Sequence, residues 1–197
     1  MPMIPALLLI LAAVGYRIVM GLAITSGSTW LSNFAPLAAI ALCAAAYFPK
    51  RYKFTVPMIA LLISDVVLNM RYGFSLLSPF VASHYIGFAL VGGLGLLFQN
   101  RASLKTLLPA SIAASVIFYI VTNIVSWAFD PGYVKSFAGL IQALTVGLPA
   151  YSATPSWMFF RNSILSDLVF TGLFVFCMKW GRNPEPSRAT SAALRTV

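Results

Sequence analysis

Val116-Ile117-Phe118-Tyr119-Ile120-Val121-Thr122-Asn123-Ile124-Val125-Ser126-Trp127-Ala128-Phe129 closes an uncharged run that begins at Thr106. At about 1.5 Å of rise per residue, a helix of this length spans the roughly 30 Å hydrocarbon core of a bilayer. A soluble helix would carry charges on its solvent face, and this run carries none. The pattern repeats elsewhere. Pro5 to Leu22 is apolar and broken only by Arg17, and Phe34 to Pro49 is uncharged. The 197-residue chain is 60% hydrophobic and 9% charged, with a mean hydropathy of +0.89. A soluble domain of this size carries roughly 25% charged residues. The sequence therefore predicts an all-α, polytopic membrane helical bundle over residues 1–179. Residues 180–197 are polar, contain Pro184 and Pro186, and read as a disordered cytoplasmic tail.

Helices are expected at about 4–24, 34–49, 54–70, 84–99, 106–128 and 160–179. Thr25-Ser26-Gly27-Ser28 ends the first. Pro49-Lys50-Arg51-Tyr52-Lys53 is a tight basic turn, and Asp130-Pro131-Gly132 is a turn signal. Within 137–158, the apolar piece from Phe137 to Leu148 is too short to span and reads as re-entrant or interfacial. The N-terminus lacks a basic lead and carries Arg17, so it reads as a retained first helix rather than a signal peptide. Basic residues cluster at 50–53, 100–105 and in the tail. Placing these three regions in the cytoplasm requires an even number of spans. Six spans, with both termini cytoplasmic, meet that condition. The formal charge of +9 is then a topology signal, not a nucleic-acid surface, since no basic groove studded with aromatics accompanies it.

Four acids are present in the chain. Two lie in near-copies inside apolar stretches: Leu62-Ile63-Ser64-Asp65-Val66-Val67-Leu68 and Ile164-Leu165-Ser166-Asp167-Leu168-Val169-Phe170. An intramembrane carboxylate is costly unless paired or solvated, so each marks a candidate site. The two copies fall on helices of opposite direction, as an inverted three-plus-three repeat would place them. With the expected topology, Arg17, Asn33, Asp65, His84, Asn123, Trp127, Asn162 and Asp167 all fall in the outer half of the membrane. Together they predict an outward-opening cavity that binds a small solute. Each also has a plainer role open to it. Arg17 could clamp Asp65 or Asp167, the aspartates could join helices, Asn33 could cap a helix, and Trp127 and His84 could sit at the interface.

Small residues at spacings of four, Ala35-x3-Ala39 and Ala41-x3-Ala45, permit close helix approach, inside the bundle or against a partner. Cys43 and Cys177 read as small buried hydrophobes. The chain carries no Walker A loop, no His-Glu-x-x-His zinc signature and no Gly-x-Ser-x-Gly elbow. No metal, cofactor or catalytic residue is expected.

The stretch Asn33-Phe34-Ala35-Pro36-Leu37-Ala38-Ala39-Ile40-Ala41-Leu42, followed by Ala46-Tyr47-Phe48 and Leu61-Leu62-Ile63-Ser64-Asp65, resembles a family of uncharacterised bacterial membrane proteins described as candidate transport proteins. Tyr85-Ile86-Gly87-Phe88, Val121-Thr122-Asn123-Ile124 with Trp127, and Phe160-Arg161-Asn162-Ser163 with Asp167 extend the resemblance. That family is distantly similar to the S components of energy-coupling-factor transporters. The resemblance implies an outward-facing site for a vitamin-like or metal-related solute. It also implies a transmembrane coupling protein with separate ATPase subunits. The sequence thus offers three readings: a substrate-binding transport subunit first, a non-transporting membrane scaffold second, and an intramembrane hydrolase last.

Overall fold

A computed structural model describes residues 3–23 and 34–180, and every regular element among them is helical. The order is α1 Met3–Ala23, α2 Leu37–Tyr47, α3 Thr55–Tyr72, α4 Pro79–Leu96, α5 Leu104–Phe129, α6 Phe137–Leu144 and α7 Ser156–Trp180. Asn33, the turn at 25–28 and the tail from 181 onward lie outside the described residues.

Local chemistry sets the helix ends. Ser78 caps α4 by accepting from the Val81 amide, and Pro79 fits the first turn because that position needs no amide donor. The fourth helix thus begins before the expected residue 84, and His84 stands in its second turn. Ser103 and Thr106 form a reciprocal capping box at the start of α5. Gly73 closes α3 with φ of 70°, a left-handed conformation that glycine adopts without a Cβ clash. The helix expected at 160–179 starts a turn earlier, at Ser156.

Five helices, α1, α3, α4, α5 and α7, are long and apolar enough to cross a membrane. Their outward faces carry Leu8, Leu11, Val19, Ile59, Leu62, Ile63, Ile86, Leu90, Val169, Leu173 and Phe176, all exposed. In water such a belt would drive aggregation, whereas lipid accepts it. The chain is a helical membrane protein.

The element expected at 34–49 is different. Helix α2 has 11 residues, about half a membrane in length. Pro36 precedes it and Phe48-Pro49 ends it. Its residues Ala38 to Ala46 are all buried, with α3, α4, α5 and α7 packed around it. A helix apolar on every side belongs in the core. Lipid tails are as apolar as leucine, so helices in a membrane associate through close van der Waals fit rather than water exclusion. The alanines of α2 provide that fit. A Cβ on Gly95 of α4 would stand 2.5 Å from the Leu42 carbonyl oxygen and 2.8 Å from the Ala45 Cβ.

Of the two uses open to the small-residue stripe, inside the bundle or against a partner, three of its alanines take the first. Ala39, Ala41 and Ala45 are at most 2% exposed, and what they touch is their own bundle. Ala35, half-buried, belongs to a cavity wall described below.

Two clusters surround α2. Ile10, Ala39, Cys43, Phe48, Phe170, Phe174 and Met178 join α2 to α1 and α7. Leu42, Leu61, Phe88, Val91, Leu107 and Val175 join it to α3, α4, α5 and α7. Both fill the half of the bundle that ends in the basic turns, where Lys53 donates to Gln99 across two of them.

Candidate functional site

The opposite half holds the polar residues. It contains the C-terminal part of α1, the N-terminus of α2, the N-terminal parts of α4 and α7 and the middle and C-terminal part of α5. There a partly open cavity of about 460 Å³ is lined by Arg17, Ala35, Leu37, Ala38, His84, Ser115, Phe118, Tyr119, Thr122, Asn123, Ser126, Ser156, Phe159, Ser163 and Asp167.

Helices α5 and α7 form its principal walls. Ser115, Tyr119, Thr122 and Ser126 recur at spacings of four and three, which aligns them on one face of α5. Ser156, Ser163 and Asp167 form the matching row on α7. The two helices cross antiparallel. Ser115 Oγ donates to Asp167 Oδ2 at 2.7 Å, and the Tyr119 ring stacks on Phe160 at 4.5 Å between centroids.

Asp167 is 1% exposed. Its second oxygen, Oδ1, accepts from the Ala39 backbone amide at 2.9 Å. Ala39 stands in the first turn of α2, where helical amides lack an intrahelical acceptor. Pro36 offers no side-chain cap. A carboxylate on α7 therefore caps α2 from outside and faces the positive end of its dipole.

Asp65 is held another way. Arg17 Nη2 donates to Asp65 Oδ1 at 2.8 Å, and Arg17 Nη1 donates to Ser64. A guanidinium from α1 thus grips the consecutive Ser-Asp pair of α3. Asp65 Oδ2 lies 3.9 Å from His84 Nδ1, too far for a hydrogen bond. Among the described residues neither atom has a hydrogen-bond partner. The His84 ring stacks on Phe118, with planes 16° apart. His84 and Arg17 therefore both face the cavity and the buried Asp65.

Of the residues singled out from sequence, Arg17, His84, Asn123 and Asp167 line the cavity, and Asp65 lies behind them. Asn162, 3% exposed, is inside α7 and accepts from Arg161 at 3.0 Å. Trp127 is not in the cavity wall. Its Nε1 donates to the Val134 carbonyl at 3.1 Å and fastens the 130–136 loop. Ser115, Tyr119, Thr122, Ser126, Ser156 and Ser163 were not anticipated. Their row spacing was present in the sequence, but hydroxyls in apolar helices commonly bond their own backbone and leave little polarity signal.

Helix α6 and its flanks join the cavity ends of α5 and α7. The Tyr119 hydroxyl donates to the Leu144 carbonyl at 2.7 Å, and the Trp157 amide donates to the Thr145 carbonyl at 3.0 Å. Phe137, Ile141, Val146 and Tyr151 of this segment are exposed. Tyr133 is buried in the adjoining loop, and that burial, reinforced by Asp130 and Tyr151, raises its hydroxyl pKa above the ordinary tyrosine value.

Among the described residues, no group of three or more His, Cys, Asp or Glu side chains converges. Residues 2–187 match the profile of a family of unknown function, DUF6580. No curated protein and no solved structure matches the chain.

Proposed function

We propose that the chain, which belongs to the DUF6580 family of unknown function, is a substrate-binding membrane subunit for a small solute. The observation that carries this reading is the cavity itself. It is a pocket of about 460 Å³ with polar rows on α5 and α7, set in one half of an otherwise apolar bundle. A packed bundle has no need of such a space, and a membrane protein gains nothing from exposing hydroxyls within it.

The basic turns at 50–53 and 100–105 lie at the end opposite the cavity. With those turns cytoplasmic, the cavity opens outward in a bacterial inner membrane. Counting the α2 segment as a sixth crossing beside the five long helices gives the six-span, S-component-like arrangement, with both termini cytoplasmic. In this reading Arg17, His84, Asn123 and the hydroxyl rows contact the solute, and no catalytic step is involved. Energy would come from a transmembrane coupling protein with separate ATPase subunits. Since the alanine stripe is internal, that partner would dock on the exposed apolar helix faces.

Native mass spectrometry of the gently solubilised protein from its own host tests the reading. A co-purifying small molecule, lost when Ser163 is replaced by Leu, is the expected result. An apo protein under conditions that preserve known binders would favour a scaffold instead. One observation supports that second reading: both intramembrane aspartates already serve as contacts between the protein's own helices.

A further inference from the structure

The charged side chains Arg17 and Asp167 of the cavity wall already have partners within the protein. The Asp167 oxygens accept from Ala39 and Ser115, and Arg17 is paired with Asp65. A charged solute would shed its hydration without gaining an uncommitted counter-charge, which is costly in a half-buried site.

Four polar groups of the α5 wall already place a hydrogen on the protein itself. Tyr119 donates its hydroxyl hydrogen to the Leu144 carbonyl. Thr122 donates to the Phe118 carbonyl at 3.0 Å. Asn123 turns Nδ2 toward the Tyr119 carbonyl at 2.9 Å, an orientation fixed because a carbonyl only accepts. Ser115 donates to Asp167. A hydroxyl has one hydrogen and two lone pairs, so Ser115, Tyr119 and Thr122 keep acceptor capacity after their hydrogen is committed, and Asn123 keeps its Oδ1 acceptor beside one further N–H. Phe118, Tyr119 and Phe159 line the same cavity.

We infer that the cavity selects an uncharged, flat solute whose edge donates hydrogen bonds, of the aromatic amide or lactam class, rather than a carboxylate or an ammonium compound. This rests on the solute-binding reading above and narrows it. Binding places the ring against the aromatic side chains and aims its N–H groups at Thr122 and Asn123. Thr122 then acts as a specificity-determining residue through its oxygen.

The test uses the full chain in lipid nanodiscs and saturation-transfer NMR. Four probes share one ring: benzamide, N,N-dimethylbenzamide, benzoate and benzamidine. Empty nanodiscs supply the background from lipid partitioning. Benzamide is expected to bind about fivefold more tightly than its dimethyl analogue, the worth of one net hydrogen bond. Neither charged probe should exceed background. Thr122→Val, close in shape, should remove the preference for benzamide over its dimethyl analogue, with the thermal unfolding midpoint confirming that the variant folds. Ser126→Phe, which fills the cavity, should abolish benzamide binding.

Equal binding of the two amides overturns the donor rule. Stronger binding of benzoate or benzamidine overturns the neutral class while leaving solute binding in place. No probe above background overturns both readings.

Discussion

Asp65 and Asp167 occupy equivalent places in two near-copies of one sequence, yet different positive partners hold them. Asp65 is gripped by a side chain, the Arg17 guanidinium, which itself reaches the cavity. Asp167 is gripped by backbone, the first-turn amide of α2, with Ser115 on its other oxygen. One arrangement opposes two full charges, while the other opposes a charge to a helix end carrying about half a unit. Similar local sequence sets the depth and direction of a side chain but not what meets it there. The two sites should therefore respond differently to the same substitution.

The largest effect is expected from Arg17→Met, which leaves Asp65 buried without its cation. The loss should be about 3 kcal/mol, because breaking one side of a buried pair strands the other. Adding Asp65→Asn should recover a good part of it. Denaturation of the purified protein in mixed micelles measures both, and a double variant no better than the single one would break the pairing argument.

Next in size is Asp167→Ala. It strands the Ala39 amide and removes the acceptor for Ser115, for about 2 kcal/mol. Hydrogen exchange should localise the loss to the first turn of α2. Protection unchanged there would show that the cap contributes nothing.

The paired asparagine variants sharpen the contrast. Asp167→Asn keeps an oxygen for Ala39, and its amide can donate to the Ser115 oxygen, so the cost should stay under about 1 kcal/mol. Asp65→Asn leaves Arg17 without a counter-charge and should cost about 1 kcal/mol more than Asp167→Asn. The reverse order would invert the assignment of partners. The smallest effect is expected from Trp127→Phe. This loses one hydrogen bond to Val134, about 0.5–1 kcal/mol, and should raise exchange in the 130–136 loop without changing solute binding.

Sequence alone showed much of the architecture because lipid imposes strict length and polarity rules. Five helices followed from apolar runs, and the short apolar piece after Asp130 read as non-spanning; α6 has 8 residues. The polar residues Arg17, Asp65, His84, Asn123 and Asp167 were visible as exceptions within those runs. The hydroxyl rows of α5 and α7 were harder to see. Their oxygens serve the helix backbone as well as the cavity, and only the antiparallel crossing of the two helices shows that the rows face each other.

What the sequence by itself determined is that this chain is a helical membrane protein with costly polar groups in a few of its helices. Hydropathy and run length suffice for that, since each helix in lipid must satisfy its own backbone. Only the tertiary structure decided that α2 is a short central helix walled in by its neighbours, that its alanines face inward, and that Asp167 supplies its cap. Those outcomes depend on which helices meet and in what register, and contacts such as Ala39 with Asp167 join residues 128 positions apart. No local pattern encodes a meeting at that separation.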